Sequence, residues 1–288
     1  MDKLKVIEIE RFAIHDGPGI RSVIFLQGCP LHCPWCANIE SQSFKQQVLY
    51  NVKECLGCRK CVEVCPKNCI SSDLKIARDI CDGCGKCVDV CLGNALKLVH
   101  QEMSVDEIVS IVMKDFDYYQ NSGGGVTLSG GEALVHPNVL VLLKTLKDKG
   151  LHVAVETTGQ VSSTLLKQYD AYIDLYLWDI KHYRKEKYAS IGGQFDLIME
   201  NIQLVNKEKI IARVPVIPNY NFEDVEGILQ YISTLDIREV HLLPFHRMGE
   251  GKYRQLDKEY AYRDYESLRK EDIKQMDNNC NILVKIGG

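Results

Sequence analysis

The chain has 288 residues, a formal net charge of −4 and hydrophobic residues at 45% of its positions. This length fits one large α/β domain, or a medium domain with a small insertion, and the interspersed charges form no basic stripe that would bind nucleic acid. The N-terminal segment lacks a signal-peptide core and the apolar runs are too short to span a bilayer, so we expect a cytoplasmic protein without a membrane partner.

The thirteen cysteines indicate metal binding. Eleven of them lie in three tight groups, while Cys69 and Cys280 stand apart. Because the cytosol keeps thiols reduced and disulfide scaffolds do not group cysteines in this way, iron or zinc is the expected occupant.

The first predicted strand, 22–28, leads directly into the sequence GCPLHCPWC. Its cysteines Cys29, Cys33 and Cys36 can hold three irons of a [4Fe–4S] cluster and leave the fourth iron open, as a Lewis acid that a small chelating molecule can bind. The alternative is a zinc site completed by His32, which is adjacent to Cys33 and would form a cramped chelate.

The next segment contains an internal repeat. Residues 54–70 align with residues 80–96 at an offset of 26, and each copy has the spacing C-x₂-C-x₂-C-x₃-C. In two-cluster ferredoxins, three cysteines of a copy hold one cluster and the fourth holds the neighbouring cluster. We therefore predict a ferredoxin-like insert at 46–100 with Cys69 as a small buried residue, and two ligand sets: Cys55, Cys58, Cys61 and Cys91 for one cluster, and Cys65, Cys81, Cys84 and Cys87 for the other.

The remainder, residues 1–45 and 101–288, alternates strands with helices. This pattern predicts a parallel sheet, and six units favour a partial (β/α)6 TIM-like barrel with its chemistry at the carboxyl ends of the strands. The further predicted strands are 124–129, 151–156, 173–180, 209–216 and 239–245, with helical periodicity at 135–149, 196–206 and 222–236.

Polar residues occur near the ends of these strands. Each has a plain structural reading: a glycine pair as a turn, an Asp–Lys pair as a buried ion pair, and a lone histidine as a core residue. They are Ser129 to Glu132, Glu156, Thr157, Asp179, Lys181, Arg213 and His246.

The cysteine loop, with Trp35 as its aromatic residue, resembles the signature of the radical S-adenosylmethionine (SAM) enzymes. The resemblance implies that the amino and carboxylate groups of SAM chelate the open iron. An electron from the cluster then cleaves the sulfonium–carbon bond, which yields methionine and a 5′-deoxyadenosyl radical.

The same resemblance assigns roles to the strand-end residues. It places the backbone of Gly130 and Gly131 at the methionine amino group, and Lys181 at the methionine carboxylate. Arg213 becomes a SAM contact and His246 an adenosine-side contact. Further cofactor positions are Trp35, Cys36, Ala37, Asn38, Asp179 and Ile180.

The stretch HDGPGIRS at 15–22 resembles an element of the activating enzymes of glycyl radical enzymes, which include the pyruvate formate-lyase activator. These oxidoreductases take a hydrogen atom from the Cα of one glycine in a large partner enzyme, where no side chain obstructs approach. The resemblance counts Asp16 with Cys29, Cys33, Cys36 and Lys181 as catalytic, and places Asp16 and Arg21 where the partner's glycine loop enters.

The group also has a monovalent-cation site, for Na⁺ or K⁺, which is matched here by Glu156, Thr157, Asp179 and the carbonyl of Leu177. Glu156 and Ala37 depart from the pyruvate formate-lyase branch. The insert instead resembles the activators of glycerol dehydratase, choline trimethylamine-lyase and 4-hydroxyphenylacetate decarboxylase.

The resemblance leaves three questions open at this point. The insert can relay electrons from a flavodoxin or ferredoxin-type reductant to the third [4Fe–4S] cluster, or serve in docking. The radical can act on a small molecule or peptide instead of a protein glycine. The chain can also be a multi-cluster electron-transfer protein, although such a carrier has no use for an open iron.

Overall fold

A computed structural model describes residues 3–274 and 282–287; Cys280 falls outside this part of the chain. Within it, eleven strands form one nine-stranded sheet and one two-stranded sheet. The strands are β1 (Lys3–Ala13), β2 (Arg21–Leu26), β3 (Val48–Tyr50), β4 (Leu96–Leu98), β5 (Gln101–Ser104), β6 (Gly125–Gly130), β7 (Val153–Thr157), β8 (Leu175–Asp179), β9 (Ile210–Val216), β10 (Glu239–Pro244) and β11 (Leu283–Ile286).

The large sheet is mostly parallel. Its order is β11-β10-β9-β8-β7-β6-β2-β1-β5. The seven neighbouring strands β11, β10, β9, β8, β7, β6 and β2 pair in parallel, whereas β1 is antiparallel to both β2 and β5. The six predicted strands and the parallel α/β class are confirmed. Strands β1, β5 and β11 were missed; β5 and β11 are four-residue edge strands, too short to show a clear period.

Helices connect the parallel strands, as a parallel sheet requires. The three predicted helices are confirmed and span Val139–Asp148, Phe195–Leu204 and Val225–Ser233. The helices are α1 (Lys60–Glu63), α2 (Lys86–Asp89), α3 (Val105–Val112), α4 (Phe116–Ser122), α5 (Val139–Asp148), α6 (Ser163–Tyr169), α7 (Lys185–Ala189), α8 (Phe195–Leu204), α9 (Val225–Ser233), α10 (Glu250–Gln255) and α11 (Lys270–Lys274). None of the helices in the described ranges has the length and apolar character to span a membrane.

The two faces of the sheet bury different side chains. Val153 and Val155 of β7 join the main core with residues of the helices, whereas Ala154 between them packs with Leu175 and Leu177 of β8. We call the face that carries Ala154, Leu175 and Leu177 the inner face. Because side chains alternate along a strand, Glu156 and Asp179 follow Ala154 and Leu177 on the inner face.

Residues 46–100 fold around a small core of their own. Strand β3 pairs with β4 and closes this segment near its two ends. The sequence repeat is also a backbone repeat: α1 and α2 are offset by 26 residues, and so are the left-handed residues Asn68 (φ 48°) and Asn94 (φ 53°). Arg78 attaches the segment to the rest of the chain, since its guanidinium donates to Asp257 at 2.9 Å and to the carbonyl of Gln255.

Candidate active site

A cavity of about 750 Å³ lies at the inner face of the large sheet. All six predicted strand ends supply residues to its wall, as expected if parallel strands present their carboxyl ends at one edge. The predicted site residues that line it are Cys29, Cys33, Trp35, Cys36, Ala37, Asn38, Gly130, Gly131, Glu156, Thr157, Asp179, Lys181, Arg213 and His246.

Of the residues predicted as catalytic or as ligands of SAM and the cation, Leu177, Ile180 and Asp16 do not line the cavity. Leu177 and Ile180 are buried in the protein, and the amide of Ile180 donates to the carbonyl of Arg213 at 2.8 Å. Asp16 is half-buried beside the cavity, and its neighbour His15 contributes to the wall instead. Ile180 is therefore linked to the cavity wall by its backbone hydrogen bond to Arg213, and its role in cofactor binding stays a prediction.

The cysteine loop is held by aromatic residues from the C-terminal half of the chain. The ring of Trp35 packs on Tyr220 with centroids 4.3 Å apart, and the Tyr253 hydroxyl donates to the carbonyl of Cys36 at 3.0 Å. Burial raises the pKa of Cys29 and of Cys33 to about 12, so the free thiols keep their protons near neutral pH.

His32 has an exposed side chain that does not line the cavity, although it precedes Cys33. Its backbone amide is bound to the carbonyl of Ile191 at 2.8 Å. The structure thus directs this side chain away from the three thiols, and the zinc alternative lacks its fourth ligand.

Residues of the cavity wall form two ion pairs with each other. Lys181 donates to Asp179 at 2.5 Å, and Arg213 contacts Glu156. Burial opposes the charge on Lys181, but Asp179 and Cys33 outweigh it and raise the pKa of the lysine. Its side chain therefore stays a cation through the physiological pH range.

Arg213 differs from Lys181 in its hydrogen bonding. Its side chain is 12% exposed, and burial lowers its pKa. Although Nη1 contacts Glu156, the buried Nε has no hydrogen-bond partner among the described residues. A buried donor without a partner is costly, and an acceptor in the cavity would satisfy it.

The predicted cation ligands already have protein partners. Glu156 accepts from Ser129 and contacts Arg213, and Thr157 donates to Glu132 at 2.7 Å. Asp179 is paired with Lys181. The cation site stays a prediction, and an ion there would have to share these oxygens.

Arg21 is placed differently from the prediction. We expected it at the entrance for a partner's loop, but its side chain is fully buried where β2 and β6 begin. The guanidinium donates to the hydroxyl of Thr127 at 2.6 Å and to the carbonyl of Pro18 at 3.1 Å, while Thr127 donates to the carbonyl of Asp16. Arg21 and Thr127 therefore hold the loop of residues 15–20, which joins β1 to β2, against the start of the sheet.

Glycines bring this loop against the sheet. A Cβ atom at Gly19, where φ is +70°, would lie 2.4 Å from the backbone nitrogen of Gly124. A Cβ atom at Gly124 would lie 1.8 Å from the carbonyl oxygen of Ile20. Only glycine at both positions allows these backbones to approach so closely.

Two further cavities lie within residues 46–100, and each gathers four of the predicted cysteines. The lining of each combines three cysteines of one repeat with the fourth cysteine of the other repeat, which is the crossed arrangement predicted above. One cavity contains Cys55, Cys58, Cys61 and Cys91. The other contains Cys65, Cys81, Cys84 and Cys87, together with Cys69.

A comparison with protein families identifies the chain. The family described as the radical SAM superfamily matches residues 23–232. The chain belongs to the radical SAM superfamily. This radical SAM enzyme uses a [4Fe–4S] cluster to cleave SAM.

Two curated relatives and one solved structure illustrate the similarity. The chain is 39% identical to trans-4-hydroxy-L-proline dehydratase activating enzyme of Clostridioides difficile, over 98% of this chain and 99% of the relative. It is 37% identical to 4-hydroxyphenylacetate decarboxylase activating enzyme of Clostridium scatologenes, over 99% and 98%. Streptococcus suis SuiB shares the fold, with a TM-score of 0.50, 12% identity and coverage of 65% of this chain and 44% of that one.

These relatives confirm the prediction that the chain is an oxidoreductase of the glycyl radical enzyme activating group, which activates a partner enzyme. They therefore disfavour both the pure electron carrier and the enzyme for a small substrate.

The glycine pair of the radical SAM enzyme packs tightly against the cysteine loop. A Cβ atom at Gly130, where φ is +110°, would lie 2.3 Å from the carbonyl oxygen of Leu26, and one at Gly131 would lie 2.3 Å from that of Gly28. The amide of Gly131 donates to Leu26 at 2.9 Å. The pair therefore fixes the spacing between β6 and the loop, in addition to lining the cavity.

Glu132 is a site residue whose role the sequence did not reveal. It is 1% exposed and lies behind the cavity wall, where it accepts from the hydroxyl of Thr157, the hydroxyl of Thr158 and the amide of Thr158 at 2.7–2.8 Å. Burial raises its pKa, although these hydrogen bonds oppose that effect. Glu132 ties the glycine turn to the end of β7.

Glu132→Ala is expected to destabilise the protein by about 3 kcal/mol, because it leaves three buried donors without an acceptor. Glu132→Gln keeps one acceptor oxygen and should cost less. Urea unfolding measures both values. The control is Glu102→Ala, whose exposed ion pair with Lys3 should contribute less than about 1 kcal/mol. Equal midpoints for Glu132→Ala and the parent would contradict this role.

Proposed function

We propose that this enzyme installs a radical on one glycine of a partner glycyl radical enzyme, and that it uses three [4Fe–4S] clusters to do so. The proposed architecture is a partial (β/α)6 barrel, residues 1–45 and 101–288, that carries a ferredoxin-like insert at 46–100. The observation that carries the proposal is the convergence of three cysteines with Lys181 and Arg213 on one cavity.

Cys29, Cys33 and Cys36 are the proposed ligands of the cluster that binds SAM. Cys33 is 9% exposed, Cys29 and Cys36 are half-buried, and all three belong to or pack against one cluster of hydrophobic side chains, which limits the access of water to the iron. Because burial keeps the free thiols protonated, assembly must release three protons. When bound, the cluster supplies the electron that cleaves SAM, and the adenosyl fragment takes the glycine hydrogen.

Residues of the cavity wall can bind both the carboxylate and the amino group of the SAM methionine. Lys181 is a permanent cation next to Cys33 and is the proposed partner of the carboxylate. The amide of Gly131 is already bound to Leu26, which leaves the glycine carbonyls as the acceptors for the amino group. The unpartnered Nε of Arg213 is a donor for a further SAM oxygen. Trp35, Asn38 and His246 complete the proposed wall.

The insert is proposed to relay electrons from a flavodoxin or ferredoxin-type reductant. Strand β3 supports this role, because its three residues contact all three cysteine groups. Val48 lines the cavity of Cys65 and Tyr50 lines the cavity of Cys55, whereas Leu49 packs against the hydrophobic cluster that contains Cys33 and Trp35. Side chains alternate along a strand, so β3 can face the insert with one side and the SAM site with the other.

The partner is proposed to be a glycyl radical enzyme of the kind that the curated relatives activate. Those relatives include the activators of a dehydratase and of a decarboxylase. The 15–20 loop, supported by Arg21, is the proposed contact for the partner's glycine segment.

The test combines the reduced, reconstituted enzyme with SAM and one candidate partner at a time under anaerobic conditions. Electron paramagnetic resonance should detect a glycyl radical on the true partner, with stoichiometric 5′-deoxyadenosine. The control is the same partner with its radical glycine changed to alanine, which should give no signal. Cleavage of SAM without a radical on any partner would contradict the proposal.

A further inference from the structure

The two cysteine cavities of the insert differ in the number of cysteines that line them. The cavity of Cys65, Cys81, Cys84 and Cys87 has a fifth cysteine, Cys69. In the other cavity the residue 26 positions later is Ala95, which lines the wall in the same way. The repeat therefore supplies an internal comparison, in which one cavity has a thiol where the other has only a methyl group.

Cys69 lies close to the predicted ligands without being needed as one. Its side chain is 5% exposed, and its sulfur lies 3.4 Å from that of Cys65. It belongs to the same hydrophobic cluster as Cys65 and Cys87, where Ile70 and Ile76 shield it from water. Four other cysteines already provide a complete ligand set for one [4Fe–4S] cluster.

The direction of this contact follows from ligand chemistry. Iron binds cysteine as a thiolate, which accepts hydrogen bonds and has no proton to donate. With Cys65 bound to iron, Cys69 is the donor of the pair. Hydrogen bonds to cluster sulfurs stabilise the more negative, reduced state, and therefore raise the reduction potential. Ala95 cannot form such a bond.

We propose that Cys69 is a positioning residue whose thiol donates to Cys65 and raises the reduction potential of that cluster above the potential of its twin. The inference rests on the proposed function, because it requires that the insert hold two clusters. An electron shared between the two clusters then resides mainly on the one beside Cys69. The pair has a preferred direction of transfer although its ligand sequences are nearly identical.

Redox titration of the full-length chain tests this inference. Changing Cys29, Cys33 and Cys36 to alanine removes the signal of the SAM cluster, and this parent should hold about eight irons. Addition of Cys69→Ala should lower one midpoint potential and leave the other unchanged, with the same iron content. Cys69→Ser retains a donor and should restore most of the shift. Ala95→Cys should raise the second midpoint.

Each other outcome overturns the inference in a distinct way. Unchanged midpoints in Cys69→Ala would exclude the hydrogen bond, and equal shifts in the serine and alanine variants would indicate packing instead. Loss of about four irons in Cys69→Ala would make Cys69 a ligand. A parent that holds fewer than about eight irons would overturn the two-cluster proposal, and the inference with it.

Discussion

Cys36→Ala is expected to abolish SAM cleavage and to lower the iron content of the reconstituted enzyme from about twelve atoms to about eight. Cys36 is one of three cysteines on the cavity wall, and no fourth cysteine of the described chain lines that cavity. The loop therefore has no replacement ligand. The eight cysteines of the insert lie in separate cavities and should keep their iron.

The matched control for this prediction is His32→Ala. His32 lies in the same loop, but its side chain is exposed and does not line the cavity. This variant should retain twelve irons, within about one atom, and full SAM cleavage. Retained cleavage in Cys36→Ala would contradict the open-iron role of the loop, and metal loss in His32→Ala would revive the zinc alternative.

Lys181→Met is expected to weaken SAM binding about 10- to 100-fold, because a charge-assisted hydrogen bond is typically worth about 1.5–3 kcal/mol. Lys181 is 8% exposed and beside Cys33, and methionine preserves most of its volume without the charge. Equilibrium binding of SAM to the oxidised, cluster-loaded enzyme measures the loss separately from turnover. The raised pKa predicts that the effect is the same from pH 6 to pH 9.

The removal of Lys181 also leaves Asp179 half-buried without its partner, so stability must be separated from binding. The double variant Lys181→Met, Asp179→Asn removes both charges and should recover most of the lost stability. It should not recover SAM affinity, because the contact to the carboxylate is still absent. If affinity returns with stability, Lys181 acts through the fold and does not contact SAM.

Local patterns accounted for most of the fold that positions the site. Strands β2 and β6–β10 were predicted because buried parallel strands carry continuous apolar runs between helical segments. Edge strands such as β5 and β11 have four residues each, and their pairing depends on neighbours that are distant in sequence. Strand β1 was also missed, since its residues 10–12 are exposed and interrupt the alternation of buried and exposed positions.

Some residues of the candidate site could be predicted from the sequence and others could not. Those of the cysteine loop, the glycine pair and the strand ends could be named because their spacing along the chain carries the chemistry. Glu132 could not be assigned its role, because its three donors lie at the end of β7 and just after it, at least 25 residues further along the chain. Arg21 could not be placed, because an exposed and a buried arginine look the same in a sequence.

The sequence by itself determined which cysteines group together, since a cluster needs several thiolates within a short reach and local spacing provides them. The tertiary structure decided which side chains surround each group of cysteines. Cys69 shows the difference: sequence identified it as the counterpart of Ala95, but only folding brought its thiol to 3.4 Å from Cys65. Such a contact depends on the path of the folded backbone and on the core that surrounds the side chains, and both are properties of the folded chain.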